Sequence, residues 1–171
     1  METDSSTSQL YISFIGGGRA TAAQYALAGE VGRLVAELGA VLVCGGLGGT
    51  MEAAARGAKE AGGATLGILP GHDRSQGNPY LDYVVTTGLG HARNVAVVSS
   101  GDAVVAVGGE FGTLSEIGLA RKIGRPVVIL QGWRLQRDEG TEGIWYASTV
   151  KEARAILRDV LGLPRDPRPR V

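Results

Sequence analysis

The residues best suited to chemistry lie between Val104 and Gly124, in the stretch VVAVGGEFGTLSEIGLARKIG. Gly108, Gly109 and Gly112 let the chain fold tightly and present bare N–H groups, an arrangement that suits a phosphate at a strand-to-helix turn. Thr113 is read as opening the helix that follows. Glu116 brings a carboxylate to the same place, the ingredient for acid–base work beside a phosphorylated substrate. Thr113 and Glu116 also have the spacing of a capping box, in which the two side chains satisfy orphan donors at a helix start. On this stretch alone both readings stand.

An earlier segment, Val41 to Gly62, repeats the GG-x-x-GT spacing as VLVCGGLGGTMEAAARGAKEAG. Its Gly45, Gly46, Gly48, Gly49 and Thr50, with the first glycine turn Gly16-Gly17-Gly18, join Gly109, Gly112 and Thr113 as the expected phosphate- or nucleotide-binding set. The position matching Glu116 is Ala53, so the acid belongs to the second copy alone. His91, Arg93 and Asn94 fall at the start of a helix read from Leu89 to Ser100, where the macrodipole disfavours positive charge. A bound anion or Glu116 would make sense of Arg93; a surface arginine reaching outward is the competing reading.

The elements that must position these residues follow from periodicity. Apolar, mostly β-branched runs at Leu10–Ile15, Val41–Cys44, Ala64–Leu69, Tyr83–Thr86, Asp102–Val107 and Val127–Leu130 predict strands, with a short edge strand at Ile144–Ala147. Helical patterns lie between them: Thr21–Leu38 with Ala22, Tyr25, Ala26, Val31, Leu34, Val35 and Leu38 as its apolar stripe, an alanine-rich helix to Ala61, and a last helix from the Thr149-x-x-Glu152 capping box to Leu161. The alanines of the second helix predict close packing against a sheet. Strands alternating with helices imply an α/β fold, a doubly wound, mostly parallel, Rossmann-like sheet of six or seven strands covered on both faces. Ligands of such folds bind outside the carboxyl ends of the strands, where the glycine turns cluster. One domain is expected over residues 10–162, with a flexible N-terminus at 1–9 and a tail at 163–171.

Composition narrows the partners. The 17 basic and 17 acidic residues cancel, which argues against a nucleic-acid or anionic-membrane footprint. The single cysteine, Cys44, has no internal disulfide partner and ends an apolar strand, so it is read as a small buried hydrophobe in a cytoplasmic protein. No signal peptide or spanning run is visible. His72 and His91 lack metal-ligand spacing, so no metal site is expected. His72, Asp73, Arg74 and Asn78 sit in a polar loop and are candidates to reach a ligand, although a solvated loop residue is the first reading of each; Trp133 is a candidate for stacking on a base or forming a rim, although a half-buried packing tryptophan is the commoner case.

Taken in order, FIGGGRA, GGLGGTMEAAARGA, ILPG, HARN and GGEFGTLSEIGLA resemble the LOG-like, or lysine decarboxylase-like, family of Rossmann proteins, over about Tyr11 to Leu161. That family includes cytokinin-activating phosphoribohydrolases and molybdenum cofactor carrier proteins. The phosphoribohydrolases carry PGGxGTxxE and an upstream arginine–lysine pair; Arg93 and Glu116 match the catalytic arginine and glutamate, and Gly109, Gly112 and Thr113 the phosphate cradle. Three positions depart: Gly108 replaces the proline, Glu110 the second glycine and Asn94 the lysine. The wording is nearer the branch with the carriers and uncharacterised bacterial proteins. The resemblance implies a phosphorylated small-molecule ligand and a homodimer or homotetramer. Its first implied activity is hydrolysis of nucleoside 5′-monophosphates to base and ribose 5-phosphate, with no cofactor. The alternative is a non-catalytic protein that carries molybdenum cofactor. No lysine is placed to hold pyridoxal phosphate, so decarboxylation is set aside.

Overall fold

The computed structural model describes residues 8–164; most of the expected N-terminal lead-in and of the tail lies outside them. Seven strands, β1 (Tyr11–Gly16), β2 (Val41–Cys44), β3 (Thr65–Leu69), β4 (Tyr83–Thr86), β5 (Ala103–Val107), β6 (Val127–Leu130) and β7 (Ile144–Ala147), form one sheet in the order β4-β3-β2-β1-β5-β6-β7. Every pairing is parallel, with Ile12 opposite Ala103 and Val104 opposite Val127 in the central registers. The helices are α1 (Ala22–Glu37), α2 (Thr50–Glu60), α3 (Asn94–Ser100), α4 (Phe111–Lys122) and α5 (Val150–Val160). The α/β doubly wound expectation therefore holds, and the sheet is wholly parallel.

The chain leaves β1 toward β4 on one side, then returns to place β5 on the other side of β1. That reversal opens a crevice at the carboxyl ends of β1 and β5, the topological switch point of such sheets. Strand β5, buried at every residue, carries one end of the crevice on a fully buried element. Helices α1, α2 and α5 cover one sheet face, with Phe14, Leu42 and Val105 among the buried residues beneath them. The other face packs Ile15, Val43 and Ile129 against α3 and α4, where Val97, Val98 and Ile117 are buried.

Coverage is incomplete at one edge. The β3–β4 crossover holds only a 3-10 turn, Arg74–Gln76, and Tyr83 and Val85, register partners of Leu66 and Ile68 on the α3 side of the sheet, remain 65% and 48% exposed. The apolar stripe of α1 is also shifted. Val31, Leu34 and Val35 are buried as expected, but Ala22 and Ala26 are exposed, and Ala28 and Gly32 take their place in the core. The cause is α2, whose small residues make their tightest approach to the α1 backbone and not to the sheet: a Cβ on Gly32 would lie 1.9 Å from the Ala54 carbonyl oxygen.

Candidate functional site

The crevice holds a cavity of about 360 Å³. The β1–α1 turn contributes Gly16, Gly17, Gly18 and Arg19; the β2–α2 turn contributes Gly45 and Leu47, with Met51 from α2. The wall on the α3–α4 side is made by His91, Arg93, Asn94, Glu110, Gly112, Thr113 and Glu116.

Helix α4 starts earlier than expected. Phe111 is its first residue, Glu110 stands at the extended N-cap position, and no side chain caps the end. Thr113 is thus the third helical residue rather than the cap, and the Thr113–Glu116 capping box does not form. The reason is local: the Thr113 side chain lies over Gly109, whose φ is +90° and whose Cβ would stand 2.0 Å from Thr113 Oγ1. The first-turn N–H groups are left without a side-chain acceptor, and Gly112 and Thr113 border the cavity. Such a helix end carries roughly half a positive charge and orients donors at an anion. Where a cap is made, it is visible: Thr149 Oγ1 accepts from the Glu152 amide at 3.1 Å, and Thr21 and Gln24 form a full capping box on α1.

Arg93 ends a 3-10 turn, Gly90–Arg93, that replaces the first turn of the helix read from Leu89. Its side chain is buried, 7% exposed. Nη1 donates to Asn94 Oδ1 at 2.8 Å and Nη2 to the Gly45 carbonyl at 3.1 Å, while Nε is buried without a partner. Gly45 is required for this placement, because a Cβ there would lie 2.6 Å from Nη1. Burial lowers the Arg93 pKa, and the nearby charge of Glu116 opposes that change.

Glu116 is 7% exposed, and its carboxyl makes no hydrogen bond or ion pair within 4 Å among the described residues. Burial pushes its pKa up to about 7, against the pull of Arg93. The acid and the cation thus share a wall and feel each other without closing into a salt bridge. Cys44, in the core beneath α1 and α2, is fully buried, its thiol pushed up to about 11 by burial, as suits a packing residue.

Of the residues singled out in the sequence, Gly16, Gly17, Gly18, Gly45, Arg93, Gly112, Thr113 and Glu116 meet at the cavity. Gly46, Gly48, Gly49, Thr50 and Gly109 do not border it. The two GG-x-x-GT turns differ in purpose: Thr50 is fully buried, opens α2, and donates from both N and Oγ1 to the Gly17 carbonyl at 3.0 Å. That turn braces the β1–α1 turn. The loop residues His72, Asp73, Arg74 and Asn78 lie off the cavity; Asn78 Nδ2 instead holds the Leu47 carbonyl at 3.0 Å. Trp133 packs outside the α4 start, donating Nε1–H to the Glu110 carbonyl at 3.2 Å with its ring 5.4 Å from Phe111. Sequence reasoning missed Arg19, Leu47 and Met51; an arginine closing a glycine run was the available signal for the first.

Among the described residues no cluster of His, Cys, Asp and Glu is placed to hold a metal ion, and no helix is long and apolar enough to cross a membrane. The model of the SLOG cluster4 family matches residues 9–156. An uncharacterised protein of Archaeoglobus fulgidus is 45% identical over 149 residues, covering 83% of this chain and 98% of its own. Among solved structures, the molybdenum cofactor binding protein of the phototrophic bacterium Rippkaea orientalis superposes with a TM-score of 0.84 at 36% identity, over 91% of this chain and 99% of that one. The molybdenum cofactor carrier protein of Chlamydomonas reinhardtii gives 0.82 at 33% identity, over 90% and 99%. With its fold, its glycine turns and this extent of match together, the chain belongs to the SLOG cluster4 family.

Proposed function

We propose that this chain is a non-catalytic carrier of molybdenum cofactor or its pterin precursor, gripping the ligand by its phosphate. The observation that carries the reading is the uncapped start of α4 at the cavity. The group fits on two counts. A phosphate monoester matches the free N–H groups of Gly112 and Thr113, and the orphaned Nε of Arg93 marks a buried donor at the same wall. The rest of the Arg93 fork is occupied by Gly45 and Asn94, so the guanidinium is fixed as a wall rather than free to orient Glu116 for bond cleavage. Glu116, its pKa pushed up to about 7, takes up a proton readily, which lets an anion settle beside it. The relatives from Rippkaea orientalis and Chlamydomonas reinhardtii support the choice of ligand.

The second reading, hydrolysis of nucleoside 5′-monophosphates, is favoured by one feature: a buried, unbonded carboxyl facing the cavity is what general acid–base chemistry at a glycosidic bond requires. One experiment separates the two. Purified protein is mixed with cofactor released from a molybdoenzyme and passed over gel filtration, and retained pterin is measured by fluorescence after oxidation; a parallel sample is incubated with AMP and assayed for free adenine. The expected result is retained pterin and intact AMP. Adenine release that Glu116→Ala abolishes, without pterin retention, replaces the carrier reading with the hydrolase one.

We also propose that two copies associate through the open edge at β4, where Tyr83 and Val85 lie exposed. Large apolar residues left open on a sheet face favour association. Light scattering is expected to give a dimer or tetramer, and Val85→Arg a smaller species. A monomeric wild-type protein overturns this part of the reading.

A further inference from the structure

The cavity wall carries two carboxylates, Glu110 and Glu116, and two arginines, Arg19 and Arg93. The Arg93 guanidinium donates to Gly45 and Asn94. Arg19 differs: it is exposed, and its side chain makes no hydrogen bond, ion pair or ring contact among the described residues. Several other arginines have settled partners, such as Arg33 on Glu60 and Arg125 on the Ser99 carbonyl; Arg74 is also exposed, with no side-chain partner among the described residues, but it lies off the cavity.

The backbone that carries Arg19 is held at both ends. Before it, the Gly17 carbonyl accepts both the amide and the hydroxyl of Thr50 at 3.0 Å. After it, Thr21 is fixed in the capping box with Gln24. Gly49 presses on the same turn, with room for no Cβ: one would stand 2.5 Å from the Gly18 carbonyl. A flexible cation is therefore presented from a fixed turn, on the same cavity as the open amides of α4.

We infer that Arg19 is a ligand-binding residue, which swings by rotamer change onto the phosphate monoester held at the α4 start and clamps it with its planar fork. The inference rests on the phosphate-binding reading above. With Glu116 protonated, a dianionic phosphate at the helix end meets roughly half a positive charge there and the Nε of Arg93, whose two terminal nitrogens are already committed to Asn94 and Gly45, and it still faces the carboxylate of Glu110. Arg19 adds a full charge and two parallel donors, the geometry that phosphate oxygens accept best. The ligand class is thus a terminal phosphate monoester, and an uncharged pterin or nucleoside gains nothing from Arg19.

The probe is inorganic phosphate, titrated against the thermal midpoint of the protein at ionic strength held constant with chloride. Arg19→Ala is expected to raise the half-saturating phosphate concentration about tenfold or more, the loss typical of a charge-assisted hydrogen bond. Arg19→Lys is expected to recover part of the loss. Arg74→Ala, at an exposed arginine off the cavity, is expected to leave the phosphate response unchanged. Equal phosphate responses in wild type and Arg19→Ala, or no response in wild type, overturn the inference. An Arg19-dependent phosphate response without retention of pterin supports the clamp and overturns the carrier reading alone.

Discussion

Replacing Glu116 by glutamine is expected to stabilise the ligand-free protein by about 3 kcal/mol at pH 8 and by under about 1 kcal/mol at pH 5. The carboxyl has an ordinary pKa of 4.5 when unfolded and about 7 when folded, because burial disfavours its charge. Between those values the folded state binds more protons than the unfolded state, so stability falls as pH rises through that window. Above pH 7 the carboxylate is charged in both states and its burial cost is felt in full; below pH 4.5 it is neutral in both and the cost vanishes. Each tenfold change in the proton's affinity is worth about 1.4 kcal/mol. Glutamine keeps the shape and does not titrate. Urea unfolding at the two pH values reads the difference as a change in midpoint at constant slope. Equal midpoints at pH 8 would mean that water in the cavity solvates the carboxylate. The same titration has a consequence for the ligand: a phosphate near Glu116 favours the protonated form, so affinity is expected to fall from pH 6 to pH 8, and glutamine to flatten that dependence.

How far the sequence revealed this site depends on the distance over which each residue acts. The α/β class was readable because the strands are short β-branched runs and the glycines mark their ends, all local signals. The acid and the cavity-lining Gly112 and Thr113 were readable for the same reason. Strand order was not, since the placement of β5 beside β1 is decided by pairings such as Ile12 with Ala103. Arg93 was singled out for its awkward place at a helix start, yet its partner Gly45 lies 48 residues away, and nothing near Arg93 announces it. The repeat of GG-x-x-GT misled for the opposite reason. Identical spacing conceals that one turn starts its helix at the threonine and the other two residues before it. Thr50 then faces Gly17, 33 residues away, and becomes a brace.

The contact between α1 and α2 supplies the other large expected effect: Gly32→Ala is expected to destabilise the protein by about 2–3 kcal/mol, and Gly57→Ala similarly. Alanine is the better helix former by about 1 kcal/mol, so propensity alone predicts the opposite sign. Packing decides. A Cβ on Gly32 would lie 1.9 Å from the Ala54 carbonyl oxygen and one on Gly57 1.9 Å from that of Gly29. Both obstacles are backbone, with no rotamer to turn away, so the helices must separate along their length and loosen contacts that bury Ala28, Val31 and Ala55. Gly118→Ala on α4 is the internal control: its Cβ meets nothing within 4 Å, and it is expected to stabilise by up to about 1 kcal/mol. Urea unfolding of the three variants gives the signs. A Gly32→Ala protein as stable as Gly118→Ala would mean that α2 slides without loss. The displacement should also reach the site, because α2 begins at Thr50, whose two bonds to Gly17 hold the turn that carries Arg19. Weakened phosphate binding in Gly32→Ala, at a temperature where it remains folded, is therefore the expected companion of its lost stability.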